Sequence, residues 1–287
     1  MNIKKNKILI LLLMMFLLLI GCENKTNEHT VIFRTSFSED KIIIVEQGGK
    51  INSKDIPSFK DIPVSSLYNV VGWADSTNTD EVFDFENTLI NDDLKLILKE
   101  ELRNSENEPF FMPIEDVFTI TGKGTCATGM ILRGSVKVGE VYELSGIRNT
   151  KKLKLIEIES NQTSVNEAKV SDSVGLCFNI DGDEIERGQV LIAPNSVPLK
   201  NKFNADIYFF KDGKENAKIS LPSKELKFYY YTNEYEANIT TDSNVSQIEN
   251  HKKYIASVEL PVNLPIEKGH MFIIRKDNIT IGLGFIK

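Results

Sequence analysis

Cys22 is the residue whose sequence surroundings most clearly predict a covalent chemistry. It ends the tetrapeptide Leu19-Ile20-Gly21-Cys22, which matches the bacterial lipobox pattern and has a small residue directly before the cysteine. In that pattern the cysteine carries a diacylglyceryl group and an acyl chain such as palmitate, and it becomes the N-terminus of the mature protein. The spacing therefore predicts lipid attachment at Cys22.

The segment before Cys22 has the organisation of a secretory signal peptide. Lys4, Lys5 and Lys7 form a basic region, and residues 8–20 are an uninterrupted apolar run of 13 residues. A transmembrane helix needs about 20 apolar residues, so the run has the length of a signal-peptide core. We predict a signal peptide at 1–21 and a membrane lipoprotein that faces outside the cytoplasm, at the inner or the outer membrane. The alternative is an uncleaved anchor with an incidental cysteine.

The net charge restricts the partners of the mature chain. The full sequence carries −7, and residues 1–21 contain three lysines and no acid, so their removal would take the charge to −10. An acidic protein is repelled by nucleic-acid phosphates and lacks the polybasic attraction to anionic lipid. Attachment to the membrane would therefore depend on the acyl chains.

The sequence contains none of the common nucleotide, metal or catalytic motifs. No G-x-x-x-x-G-K-[ST] motif is present, and Gly122-Lys123-Gly124-Thr125 joins two predicted strands and precedes no helix, so GTP is not expected as a ligand. The three histidines are far apart, with no metal-ligand spacing. No Ser/His/Asp or paired-carboxylate arrangement occurs. We therefore expect no enzyme activity, no metal and no cofactor.

Residues 109–139 have the pattern of a small antiparallel barrel. Val117, Thr119 and Thr121 alternate with Phe118 and Ile120, the period-2 signature of a half-buried strand. Further short strands are predicted at 125–132 and 135–138, separated by glycines suited to tight turns. Short strands at this density favour a barrel or a sandwich.

The same stretch resembles the second domain of elongation factor Tu. It reads P-F-x-x-P-I-E-D-V-F-x-I-x-G-K-G-T-x-x-T-G followed by R-G-x-x-K-V-G, and E-I-E-R-G-Q-V-L at 184–191 is similar to the end of that domain. Residues 202–208, 226–232 and 271–284 resemble strands of the family's third domain. The resemblance implies two consecutive antiparallel β-barrels at 109–198 and 199–287, in a mainly β protein without the family's GTPase domain.

In that family the second domain holds the aminoacyl end of a tRNA. The resemblance implies that the matching positions here are candidate ligand contacts, and that Gln162 and Ser173 replace a family arginine and asparagine. The alternative is that Phe118, Ile120 and Thr128 are retained only because the barrel must pack. The candidate residues are Glu115, Asp116, Phe118, Ile120, Thr128 and Glu159.

Residues before 109 show little of this resemblance. Residues 22–30 are polar and predict a tether, and strands are expected at 31–37, 41–46 and 68–73. Residues 91–103 predict a helix, because Leu94, Ile97, Leu98 and Leu102 recur at helical spacing after a cap at Asn91. Residues 31–108 thus predict a small α/β segment, either a remnant of the GTPase domain or an unrelated module.

Two other features of the barrels leave alternatives open. Cys126 and Cys177 lie in apolar strands of one predicted domain. An extracytoplasmic location permits a disulfide between them, and buried free thiols are the alternative. The aromatic residues of 199–287 lack an accompanying basic groove and are expected in the barrel core and its interfaces rather than in a stacking surface.

Three functions are compatible with these features. The first is a lipid-anchored, non-enzymatic binding or scaffold protein with a protein partner. The second is a divergent translation-factor-like protein that retains weak binding of an aminoacyl-tRNA end. The third is a structural envelope component with no discrete ligand. A basic surface around Glu115–Thr128 would favour the second, and an acidic surface the first or third.

Overall fold

The structure is a computed structural model, and it describes residues 27–35, 37–60, 62–120, 124–209 and 219–287. The predicted signal peptide at 1–21, Cys22 and the first part of the predicted tether lie outside these ranges. Within them, no helix has the length and apolar character needed to cross a bilayer. The described chain is mainly β and forms three units.

The first unit is a four-stranded sheet formed by β1 (Glu28–Arg34), β2 (Lys41–Glu46), β3 (Tyr68–Asp75) and β4 (Leu94–Leu102). The strand order is β2-β1-β4-β3; β1 and β4 are parallel, and the other pairs are antiparallel. One face packs around the buried residues Val31, Phe33, Trp73 and Leu96. The edge of one ring meets the face of the other where Phe33 contacts Trp73, with centroids 5.0 Å apart.

The predicted helix at 91–103 is wrong, since these residues form β4. Leu94, Leu96 and Leu98 also alternate at period 2, and both periods fit this leucine-rich run. β4 lies between β1 and β3, so its backbone groups find partners on both sides, and this pairing overrides the local helical preference.

The α/β class predicted for residues 31–108 is therefore also wrong. Their described part contains strands and a single-turn 3₁₀ helix at Ser53–Asp55, but no α-helix. β1 begins at Glu28, within the range predicted as a tether. The unit is a small β-sheet covered on its buried face by the loops between its strands.

The second unit is an antiparallel half-barrel. Seven strands run in the order β5-β14-β9-β10-β13-β7-β6, with β11 paired to β10, and β8 and β12 form a separate ribbon. The predicted barrel at 109–198 is thus antiparallel β; its strand ladder is that of a half-barrel, and backbone hydrogen bonds of Phe111 with Leu132 and Arg133 link β5 to the residues that follow β7. The strands are β5 (Phe111–Pro113), β6 (Asp116–Ile120), β7 (Gly124–Met130), β8 (Ser135–Lys137), β9 (Val141–Ser145), β10 (Lys151–Ser160), β11 (Thr163–Val165), β12 (Glu167–Lys169), β13 (Ser173–Phe178) and β14 (Val190–Ile192).

The third unit is a closed antiparallel barrel of six strands in the order β15-β18-β17-β16-β19-β20. Its core is aromatic, as expected: Phe228 and Phe272 lie with centroids 4.6 Å apart. Asp277 and Asn278 both have positive φ and join two strands in a two-residue hairpin turn. The strands are β15 (Leu199–Phe209), β16 (Ser223–Tyr230), β17 (Asn233–Thr241), β18 (Lys253–Pro265), β19 (Met271–Lys276) and β20 (Ile279–Ile286).

An apolar cluster joins the three units. Leu67 comes from the first unit, Phe111 and Leu132 from the half-barrel, and Tyr231 from the closed barrel, and they pack in one group. The rings of Phe111 and Tyr231 have centroids 5.3 Å apart. We call this region the junction.

A polar network crosses the same junction. Arg133 Nη1 of the half-barrel donates to Glu267 Oε1 of the closed barrel at 2.5 Å. The hydroxyls of Tyr231 and Tyr230 lie 2.6 Å and 2.9 Å from His270 Nδ1. Burial, together with the charge of Arg133, lowers the pKa of His270 to about 3. The imidazole is therefore neutral at neutral pH and can accept a hydrogen bond from a tyrosine.

Candidate functional site

Four neighbouring strands of the half-barrel bring the candidate residues together. The register pairs Asp116 on β6 with Thr128 on β7, Thr128 with Gly175 on β13, and Gly175 with Glu159 on β10. Residues directly opposite each other in paired strands share a face. These four therefore form a row across the sheet. The face is the one opposite the half-barrel core, to which Ala127 and its partner Leu176 belong.

A cleft of about 250 Å³ opens on this face. Of the six residues predicted as ligand contacts, Glu115, Phe118, Thr128 and Glu159 line it, whereas Asp116 and Ile120 do not. Residues that the resemblance did not imply as contacts complete the wall. The full lining is Glu115, Phe118, Thr128, Gly129, Glu159, Asn161, Gln162, Ser173, Val174, Gly175 and Cys177.

Local hydrogen bonds are consistent with the finding that Glu115 lines the cleft whereas Asp116 does not. The Glu115 N–H donates to Thr128 O at 2.8 Å, which continues the β6–β7 ladder past the end of β6. Asp116 uses its carboxylate locally, since Oδ1 accepts from the Val117 N–H at 2.9 Å. The Thr128 hydroxyl donates to Asp116 O at 3.3 Å. Glu115, directly before β6, thus contributes a carboxylate to the wall of the cleft.

A disulfide lies beside the cleft. Cys126 and Cys177 are directly paired on β7 and β13, and their sulfur atoms are bonded. Both residues are buried, with 0% and 2% of their surface exposed, although they lie on the outer face. Phe118 is paired with Cys126 and flanks the disulfide on one side. The sequence left open whether these thiols were free, because spacing in the chain carries no information on their distance.

A hairpin turn supplies the polar rim. Asn161 and Gln162 connect β10 to β11, and their φ values are +49° and +62°. Positive φ at both central residues is typical of a type I′ turn, for which glutamine is an unusual occupant. Gln162 and Ser173 both line the cleft. Asn161 was missed by the sequence analysis, although a two-residue turn after a long strand is a recognisable signal.

The chemistry of the lining is acidic and neutral polar. Among its described residues the only charged ones are Glu115 and Glu159, and hydroxyl, amide and aromatic groups supply the rest. Among the residues that the structure describes, no group of histidine, cysteine, aspartate and glutamate side chains is arranged to hold a metal ion. The groups present in the cleft can accept hydrogen bonds and attract a cation.

A second cavity, of about 180 Å³, lies at the junction and is lined mainly by apolar and tyrosine side chains such as Leu67, Tyr68 and Met271. It contains none of the predicted site residues.

No protein-family model matches the chain. The cleft of the half-barrel, which we call the acidic cleft, is therefore the candidate site, on the basis of its geometry and lining.

Proposed function

We propose that the chain is a lipid-anchored, non-enzymatic binding or scaffold protein of the bacterial envelope. In this proposal it is built from barrels like the second and third domains of elongation factor Tu, without the GTPase domain. The acidic cleft would be its binding site for a protein partner. Cys22 would hold the protein at the membrane through its acyl chains, with the three β-units outside the cytoplasm.

One observation carries the binding part of this proposal. Glu115, Phe118 and Thr128 come from the β6–β7 hairpin and Glu159 comes from β10, more than 30 residues later, yet all four line a single concave site. Concave sites with a few convergent polar groups are the usual location of ligand binding. The charged lining residues are acidic, and an acidic surface at this place was expected of a binding protein or a structural component rather than of a protein that binds an aminoacyl-tRNA end.

The anchor is tested by locating the protein in cells. Full-length protein is compared with Cys22→Ala and with the matched control Glu23→Ala, which leaves the lipobox cysteine in place. We expect the wild type and the control to partition into detergent and to be cleaved by protease added to spheroplasts, whereas Cys22→Ala stays in the aqueous phase. Protection of the wild-type protein inside the cytoplasm would overturn the envelope assignment.

A second candidate function is weak binding of an aminoacyl-tRNA end. It is favoured by the fact that four residues implied by the elongation factor resemblance line one cleft. Strong, salt-sensitive binding of aminoacyl-tRNA to the full-length protein, weakened by Glu159→Gln, would place this function ahead of the first. A structural role with no ligand predicts instead that neither the wild type nor variants of the cleft bind aminoacyl-tRNA or a protein partner at this site.

A further inference from the structure

The two carboxylates that line the acidic cleft have no side-chain partner among the residues that the structure describes. Neither Glu115 nor Glu159 forms a side-chain hydrogen bond or ion pair with any residue that the structure describes. Some other carboxylates of the half-barrel are paired with cations: Glu186 pairs with Arg148 at 2.8 Å and Glu167 with Lys137 at 3.2 Å. The cleft therefore presents uncompensated negative charge at a concave site.

Phe118 adds an exposed aromatic ring to these carboxylates. Its side chain is 42% exposed, although it belongs to the large apolar residues that proteins usually bury. A guanidinium or ammonium group within about 6 Å of an aromatic centroid is attracted by the ring quadrupole. A cleft lined by both an exposed aromatic ring and two carboxylates is thus a favourable surface for a cation.

Two other places in the structure, one in the closed barrel and one at the junction, combine an aromatic ring and a carboxylate with an arginine. The Arg275 guanidinium lies 5.9 Å from the Tyr229 ring centroid and bonds to Glu234 at 3.1 Å. At the junction, the Arg133 guanidinium lies 5.7 Å from the ring of Phe111 and bonds to Glu267. In both places an arginine contacts an aromatic ring and a carboxylate together.

The acidic cleft has the ring and the carboxylates of this arrangement but no guanidinium. We infer that it binds an arginine side chain presented by a protein partner, placed over Phe118 and between Glu115 and Glu159. This inference rests on the proposed function, since it names the chemical group that the partner supplies at the same site.

Size and charge identify this occupant over others. The volume of about 250 Å³ is below the range of roughly 300–1,000 Å³ of pockets that enclose a whole small molecule. A single side chain fills such a cleft, and the rest of the affinity comes from the surrounding surface. The planar guanidinium of arginine stacks on an aromatic ring while it donates to carboxylates, which the ammonium of lysine does less well. A phosphate would be repelled by both glutamates.

The test compares two peptides of nearly equal shape, of which only one carries a positive side chain. Full-length protein in a non-ionic detergent is titrated with acetyl-Gly-Arg-Gly-amide or with the citrulline analogue, which has a neutral group of the same shape. Binding is measured by saturation-transfer NMR. We expect the arginine peptide to bind about five-fold or more tightly than the citrulline peptide, with its affinity falling as sodium chloride is added.

Variants locate the binding on the protein. Glu159→Gln should weaken the arginine peptide by about three- to five-fold, and Phe118→Leu should abolish transfer from aromatic protons to the arginine side chain. Glu236→Gln, an exposed carboxylate on β17 of the closed barrel, is the matched control and should bind as the wild type does.

Two outcomes would overturn the inference. One is equal binding of the arginine and citrulline peptides, and the other is binding that Glu159→Gln leaves unchanged. Neither outcome alters the localisation of the wild type or of Cys22→Ala, so failure here is distinguishable from failure of the lipid anchor. Conversely, loss of the envelope assignment leaves the peptide measurements unaffected.

Discussion

Acidification should destabilise this protein well above the pH at which its carboxylates titrate, and His270 is the reason. The ring is 1% exposed, and its Nδ1 lies 2.6 Å from the Tyr231 hydroxyl and 2.9 Å from that of Tyr230. A protonated ring would carry a hydrogen on Nδ1 and could no longer accept from either hydroxyl. It would also place a buried positive charge near Arg133, and burial together with this charge lowers the pKa of His270 although Glu267 Oε2 lies 3.7 Å from Nε2.

The magnitude follows from the difference between the folded and unfolded pKa values. The folded pKa is about 3 and the ordinary value is 6.5. Between these values the unfolded chain binds the additional proton, so the stabilisation is fully present above pH 6.5 and is lost as the pH falls. The loss is about 1.4 kcal/mol per pH unit. From pH 7 to pH 5 the free energy of unfolding should therefore fall by about 2 kcal/mol.

Carboxylates contribute little to this pH window. Asp40, Asp206 and Glu184 have pKa values lowered by their ion pairs, so their stabilisation is present above their unfolded values of about 4 and is lost only at lower pH. Burial raises the pKa of Glu100, which favours the folded state slightly as the pH falls. The measurement therefore needs a variant that removes the histidine and leaves these groups in place.

Urea denaturation followed by far-UV circular dichroism at pH 7 and pH 5 is the assay, because urea adds no ionic screening. His270→Asn is the comparison, since its amide oxygen can accept from the tyrosines without titrating. We expect this variant to be less stable than the wild type at pH 7 but to lose little further stability at pH 5. Equal losses for both proteins between the two pH values would refute the reasoning.

Two further predictions concern the disulfide and β4. Reduction of Cys126–Cys177, which are 51 residues apart in sequence, should cost about 4 kcal/mol of unfolding free energy in the chain-entropy treatment. A Cys126→Ala, Cys177→Ala double variant should show the same lower stability with or without reductant. Leu96→Ala on β4 should lower the free energy of unfolding by about 2–5 kcal/mol, measured by urea titration followed by Trp73 fluorescence. Glu101→Ala, at an exposed position of the same strand, is the control and should change this free energy little. Equal effects of the two variants would contradict the assigned strand faces.

Features that depend on neighbours along the chain could be predicted from the sequence. The alternation around Phe118 predicted a strand, and the structure has β6 there. The polar run Lys276-Asp277-Asn278 between two apolar stretches is typical of a hairpin turn, and Asp277 and Asn278 make that turn in the structure. Such patterns are sufficient because a hairpin pairs residues that are adjacent in sequence. The mainly β class followed from the same signals.

The wrong prediction of a helix at 91–103 shows that a local pattern cannot always distinguish a helix from a strand. Leu94 to Leu102 fit both a helical and an alternating period. The choice between them depended on β1, more than 60 residues earlier, whose Val31 pairs with Leu94. The pairing of strands distant in sequence gives the backbone hydrogen bonds on both sides of β4 that a local pattern cannot reveal.

The sequence by itself determined the composition of the acidic cleft more than its shape. It identified Glu115, Phe118, Thr128 and Glu159 through a resemblance, but only the register of β6, β7, β13 and β10 brought them to one concave site. The tertiary structure also decided that Cys126 and Cys177 are bonded. The physical reason is common to both. Side chains from strands far apart in sequence meet only where hydrogen-bonded pairing places them opposite each other on the same face of a sheet.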